Sequence, residues 1–187
     1  MISKERINLY AIKTISFFTP HFLQIRRLNK LENKARQIAI NKNIPFLVRC
    51  EILDEMKRKP DSFSSIGFHY EFEQMVNGRY RIFIFRQCAM ASELDILITI
   101  FHEYGHFIDY CASIKTKTPL RDIYFLDQLP KYYGSYDEDF PELFARYMLD
   151  LVSIDTHVST IIDNIIREGV ANLSDGDKKR GIDVMKY

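Results

Sequence analysis

Cysteine is scarce. Cys50, Cys88 and Cys111 give an odd count with no Cys-x-x-Cys spacing, which argues against a disulfide framework and against a structural zinc ribbon. They read as reduced thiols. Seven glycines and six prolines in 187 residues leave no room for a fibrous or low-complexity chain. No apolar run approaches the ~18 residues that a membrane span needs. The first residues are broken by Lys4, Glu5, Arg6 and Lys13 and lack a small-residue cleavage site, so they do not read as a signal peptide. The expectation is a cytoplasmic protein with no membrane partner, export by an unrecognised route being left open. With 47% apolar and 27% charged residues, the chain has the composition of a folded globular protein of about one domain.

The formal net charge of +1 conceals an asymmetry. Residues 1–60 hold 13 Lys/Arg against 5 Asp/Glu, whereas residues 61–187 hold 13 against 20. A basic N-terminal third suits an acidic partner or nucleic acid. Its charges, however, are spread at helical spacing with no glycine-rich or aromatic readout motif beside them. A solvated helix face is the expected reading, and nucleic-acid binding is not expected.

Between Gln24 and Asn41, Ile25, Leu28, Leu31, Ala35, Ile38 and Ala39 fall at three- and four-residue steps among Arg26, Arg27, Lys30, Lys34 and Arg36. That spacing predicts an amphipathic helix. A second helix is expected over Phe46–Lys59, ending at Pro60-Asp61, with a loop at Ser62–Ser65. Phe68–Met75, then Asn77-Gly78, then Arg79–Arg86 reads as a β-hairpin. Arg79, Arg81 and Arg86 suggest that the second strand lies near a sheet edge. Ser92 followed by Asp95 caps a helix that is apolar nearly all round and runs to about Ser113. Further helices are expected over Glu138–Val152 and Asp155–Arg167, separated from the first by a loop-rich stretch from Lys115 to Asp137.

That buried helix carries His102-Glu103-Tyr104-Gly105-His106. Residues four apart lie on one helix face, so His102 and His106 can present two imidazole nitrogens to a single ion, with Glu103 beside its open side. A metal in such a place lowers the pKa of a bound water to about 7, and a neighbouring carboxylate can take the proton as the water attacks a carbonyl. The motif is therefore a mechanism written as spacing, and five histidines in 187 residues make its chance occurrence uncommon. A catalytic zinc has three protein ligands and one open position. The third ligand falls to Glu138 or Glu142, four apart on a downstream helix, with the other behind the first. Asp137 and Asp139 read as complements to that helix's dipole. Gly105 fits a place where another backbone approaches closely. Asp109, three residues past His106, is a candidate to orient a zinc histidine. His21, His69, His157 and Cys111 have no ligand-spaced partner and read as surface or packing residues. Tyr124, Phe125, Tyr132 and Tyr133 are candidates to line a substrate cleft.

His-Glu-Tyr-Gly-His followed by Phe-Ile-Asp, then Tyr-Gly, then Glu-Asp-Phe-x-Glu-x-Phe-Ala resembles the catalytic domain of anthrax lethal factor-like zinc metallopeptidases, a gluzincin group that includes the Pro-Pro endopeptidases. The resemblance covers roughly residues 79–151. It implies zinc held by His102, His106 and Glu138, Glu103 as general base, and Tyr133 as oxyanion donor, with Tyr132 or Tyr136 as substitutes because the Tyr-Gly pair stands closer to the glutamate than in the family. Pro141 departs from the family's small residue and suggests a helix start near Asp139.

The resulting expectation is an α+β, zincin-like metallopeptidase domain: a small mixed sheet, an active-site helix and C-terminal helices, preceded by N-terminal helices. The divisions are a basic helical segment over 1–60, a catalytic domain over 61–170 and a flexible tail over 171–187. The expected activity is zinc-dependent endopeptidase hydrolysis of a protein or peptide bound along the 79–86 strand. The alternatives are an ImmA/IrrE-type regulatory protease that cleaves a repressor and a zinc-stabilised binding module without activity.

Overall fold

The structure is a computed structural model, and it describes residues 4–53, 67–69, 80–116, 130–133, 136–153 and 155–172. Five helices and three strands occupy these residues: α1 (Lys4–Phe18), α2 (His21–Asn41), β1 (Val48–Leu53), β2 (Gly67–His69), β3 (Tyr80–Phe85), α3 (Glu93–Thr116), α4 (Tyr136–Met148) and α5 (Thr156–Asn172). The sheet order is β1-β3-β2. β1 runs parallel to β3 with Val48 opposite Tyr80, and β2 runs antiparallel with Phe68 opposite Phe83. The architecture is α+β with a small mixed sheet. No helix among the described residues is long and apolar enough to cross a membrane.

Two expectations about the sheet are corrected. Residues 48–53 form a strand, not part of a helix over Phe46–Lys59. Val48 and Cys50 alternate with the exposed Arg49, and the two inward positions pack into the core that Ile82 and Ile84 also enter. A short apolar run does not distinguish strand from helix by periodicity, and the partner strand decides it. β3, expected near an edge, is the central strand. Its Arg81 is accommodated because two of its guanidinium nitrogens, Nε and Nη2, meet the carboxylate of Glu51 on β1, and its cation lies 4.8 Å from the centre of the Phe83 ring. The Asn77-Gly78 turn lies outside the described residues.

The core is continuous from the N-terminal helices to the last helix. Leu28, Leu31 and Ala35 of α2 share one buried cluster with the sheet, with α3 and with Ile162 and Ile165 of α5. Residues 1–60 therefore contribute a helix face and an edge strand to the same core as the residues that follow. Buried Glu32 reinforces this union: its carboxylate accepts from Arg36 one turn on and from the backbone N–H of Cys50 on β1, both at 2.8 Å. Arg27 donates to the carbonyls of Ala89 and Ala91, each at 2.6 Å, tying α2 to the turn that leads into α3.

α3 is the axis of the molecule. Ser92 caps it as its sequence predicts, its Oγ accepting the Asp95 N–H at 3.1 Å. Ile96, Leu97, Ile100, Phe101, Tyr104, Phe107, Ile108, Cys111 and Ala112 are all buried. α4 and α5 pack along it. Two glycines permit that closeness: a Cβ on Gly105 would stand 2.9 Å from the Pro141 Cα of α4, and one on Gly169 of α5 would stand 2.7 Å from the Ile108 carbonyl oxygen. Gly105→Ala gains about 1 kcal/mol of helix propensity but forces backbone apart, an overpacking cost of about 1–3 kcal/mol. The expected result is a lower melting temperature in thermal unfolding, since α4 must move; a variant more stable than the wild type would contradict the close approach.

The helix bounds differ in detail. α4 begins at Tyr136, which puts Pro141 in the second turn rather than at the start, and it ends at Met148. The chain then turns through Asp150 at φ 53°, with the Leu151 N–H on the Arg146 carbonyl at 2.9 Å. That left-handed C-terminal closure stops the helix short of Val152. α5 continues past Arg167 to Asn172 and is capped by Asp155, whose Oδ1 accepts the Val158 N–H at 2.8 Å. Of the expected tail over 171–187, Ala171 and Asn172 belong to α5; its other residues, the Ser62–Ser65 loop, and Tyr124 and Phe125 lie outside the described residues.

Candidate metal centre

His102 and His106 stand one turn apart on α3, their ring centres 5.1 Å apart. The facing turn of α4 presents Glu138, Pro141 and Glu142, and the Gly105–Pro141 contact is the hinge of that face-to-face arrangement. Glu138 Oε2 lies 3.1 Å from His102 Nε2 and 3.8 Å from His106 Nε2. One ligand atom from each of the three residues falls within 4.8 Å of the others. Bonds of about 2.0–2.1 Å at tetrahedral angles put neighbouring ligand atoms about 3.3 Å apart, so this group can hold a metal ion. Among the described residues it is the one such cluster, and it contains no cysteine.

The second nitrogen of His102 gives an independent test of fit. Nδ1 lies 3.4 Å from Glu142 Oε2, and Glu142 Oε1 accepts from Arg146 Nε at 2.7 Å. A neutral imidazole has one N–H to donate. If Nδ1 donates to Glu142, then Nε2 turns a lone pair toward the Glu138 carboxylate, a repulsive arrangement that a cation between them converts to an attractive one. A carboxylate on the distal nitrogen is also the usual support of a metal-bound histidine. Without an ion the same crowding acts on the proton: burial pulls the His102 pKa down, but the Glu142 hydrogen bond and the charges of Glu103, Glu138 and Glu142 outweigh it and raise it overall. The bond to His102, helped by Arg146 against the effect of burial, holds the Glu142 carboxyl below its ordinary range.

Glu103, next to His102, is buried. Its charge adds to burial in pushing the Tyr80 phenol upward and is among those that raise the His102 pKa. Tyr104 points the other way. Its hydroxyl donates to the Pro45 carbonyl and its ring packs among Phe46, Phe107 and Phe144, so the residue between the motif's two halves anchors α3 to the core.

Of the three tyrosine candidates, Tyr133 is the one whose ring is seen beside the histidines, 6.5 Å from the His102 ring centre. It is 63% exposed. Partial burial and the Glu142 charge raise its pKa, keeping it a phenol able to donate. Tyr132 instead packs against the core under the Arg146 guanidinium, 4.9 Å from its ring centre, and the side chain of Tyr136 lies outside the described residues. Asp139 corrects an expectation: it is not simply a dipole complement. It is buried, and its Oδ1 accepts the backbone N–H groups of Tyr132 and Tyr133 at 2.7 and 2.6 Å. One carboxylate thus fixes the segment that carries Tyr133.

The roles of Arg146 and Asp139 emerge only in the structure. Arg146 had a visible signal, since it follows Glu142 by four residues. The bonds of Asp139 had none, because they join residues brought together by the turn into α4. Glu142, the alternative third ligand, faces the far nitrogen of His102 rather than the metal face. Cys111 packs in the core, and His21 and His157 are exposed. No protein-family model matches the chain, and no curated protein or solved structure matches it either.

Proposed function

We propose that this chain is a zinc-dependent endopeptidase of the gluzincin type, with a zincin-like arrangement of sheet and active-site helix. The observation that carries the reading is the convergence of His102, His106 and Glu138 at one point while Glu142 occupies the distal nitrogen of His102. Two imidazoles and a carboxylate form a nitrogen–oxygen set suited to zinc. Three ligands without a cysteine favour a catalytic site over a closed structural one, which would have four. The resemblance to lethal factor-like peptidases is part of this proposal and rests on the motif residues alone.

A zinc ion held there supplies the Lewis acidity that makes water a nucleophile near neutral pH. Glu103 takes the proton of the attacking water and delivers it to the departing amine. The Tyr133 hydroxyl donates to the scissile carbonyl oxygen as charge builds on it. Glu142, braced by Arg146, holds the His102 ring in one orientation. Among the described residues β3 is paired on both sides over Ile82–Ile84, so a peptide that added a strand to this sheet would pair with an outer strand, β1 or β2, rather than with residues 82–84. The three cysteines, all buried and none in a disulfide, support action in a reducing cytoplasm.

The test is metal analysis of the purified full chain with digestion of a peptide library read by mass spectrometry. Stoichiometric zinc, and cleavage that a chelator abolishes and zinc restores, are expected. A folded protein that takes up no metal would sink the reading, and one that holds zinc yet cuts nothing would favour a zinc-stabilised binding module.

A further inference from the structure

We propose that the corner between α1 and α2 is a docking surface for an anionic lipid bilayer. Around Thr19-Pro20, the side chains of Phe17, Phe18 and Phe22 are 78%, 77% and 68% exposed, and Ile15, Leu23 and Ile25 beside them are at least 40% exposed. Single exposed apolar residues are ordinary, but six within eleven positions mark an interaction surface. Rings this exposed protrude; they do not line a groove, so the shape suits insertion into a soft medium.

The corner is also held rigid. Gln24, fully buried, donates to the carbonyls of Ser16 and Thr19, and the Ser16 hydroxyl accepts the Met90 N–H at 3.2 Å. These bonds fasten the inner side of the corner to the body of the protein and leave the rings facing out.

Charge selects the occupant. From Ala11 to Gln37 the one acidic residue is Glu32, which is buried and bonded to Arg36 and Cys50, and Glu93, an exposed carboxylate that faces α2 from α3, is already paired with Lys34. Arg26 and Lys30 are exposed and follow Phe22 by four and eight residues, about 6 and 12 Å along the same face of α2. That distance matches apolar side chains buried about 5–10 Å into the headgroup boundary with cations at the phosphates. A second copy would fit worse, because a twofold interface sets this patch against itself, and the patch offers no exposed carboxylate between Ala11 and Gln37 to meet Arg26 and Lys30. Peripheral binding needs no membrane span, so the lack of a spanning helix among the described residues does not bear on it. The basic excess of the N-terminal third thereby gains a role independent of the metal centre.

The experiment is flotation of the full chain with vesicles of phosphatidylcholine alone or with roughly a third phosphatidylserine, at low and high salt. The wild type should float with the mixed vesicles at low salt and much less with the neutral ones. Phe17→Ser/Phe18→Ser/Phe22→Ser should weaken partitioning at least about tenfold, and Arg26→Gln/Lys30→Gln about thirtyfold on anionic vesicles only. Unchanged melting temperature and metal content in both variants would show that the body is intact. Absence of flotation, or binding by the ring variant equal to wild type, would overturn the proposal. So would a wild-type dimer, seen by light scattering, that the ring variant dissociates while neither protein floats.

Discussion

Glu103→Gln should leave fold and metal in place while peptidase activity falls about 10²–10⁴-fold, the usual worth of a positioned general base. The amide is the same size as the carboxylate, so the buried site beside His102 is not emptied, and the three metal-facing residues are untouched. What is lost is a group that can accept a proton from water and pass it on. Tyr133→Phe provides the graded control: removing one donor to the carbonyl oxygen costs about 10²–10³-fold at most, and a residue 63% exposed has little packing to lose. The measurement is kcat/KM on a cleavable peptide with metal content determined in each protein. Equal cleavage by wild type and both variants would trace the activity to a contaminant and leave a metal-binding module.

Metal content should separate the two glutamates of α4. Glu138→Ala removes the oxygen that lies near both Nε2 atoms, and two histidines alone hold zinc poorly, so zinc should be lost on dialysis. Glu142→Ala should keep zinc, with affinity or activity lowered about 10- to 100-fold as the His102 ring loses its support. It should also cost about 1–3 kcal/mol of stability, because the Arg146 bond at 2.7 Å is broken and a part-buried donor is left unsatisfied. The reverse pattern, zinc lost with Glu142→Ala and kept with Glu138→Ala, would require the His102 ring to turn over and would move the ligand role to Glu142.

The helix α3 was legible in the sequence because everything that defines it is local. Ser92 and Asp95 mark its start, the apolar residues run at helical spacing, and the two histidines are one turn apart whatever surrounds them. The same holds for α2 and for the capped α5. β1 was misread because Val48–Leu53 is too short for periodicity to speak, and its state depends on Ile82 and Ile84, thirty residues away. β3 was placed at an edge because its arginines look like solvent-facing charges, whereas Arg81 is answered by Glu51 across the β1–β3 pair.

The sequence by itself determined the chemistry available: two imidazoles and a carboxylate at fixed helical offsets, and two acidic candidates to complete them. Only the tertiary structure decided which carboxylate meets which nitrogen. Glu138 and Glu142 are equivalent as sequence, four apart on one face, and a helix can be slid or turned by one residue without changing that. Their roles diverge where Gly105 lets the Pro141 backbone come close, because that contact sets the height of α4 against α3 and brings Glu138 to the Nε2 side and Glu142 to the Nδ1 side. Helical periodicity is a short-range property of one chain segment, whereas the offset between two helices is set by packing among residues far apart in sequence.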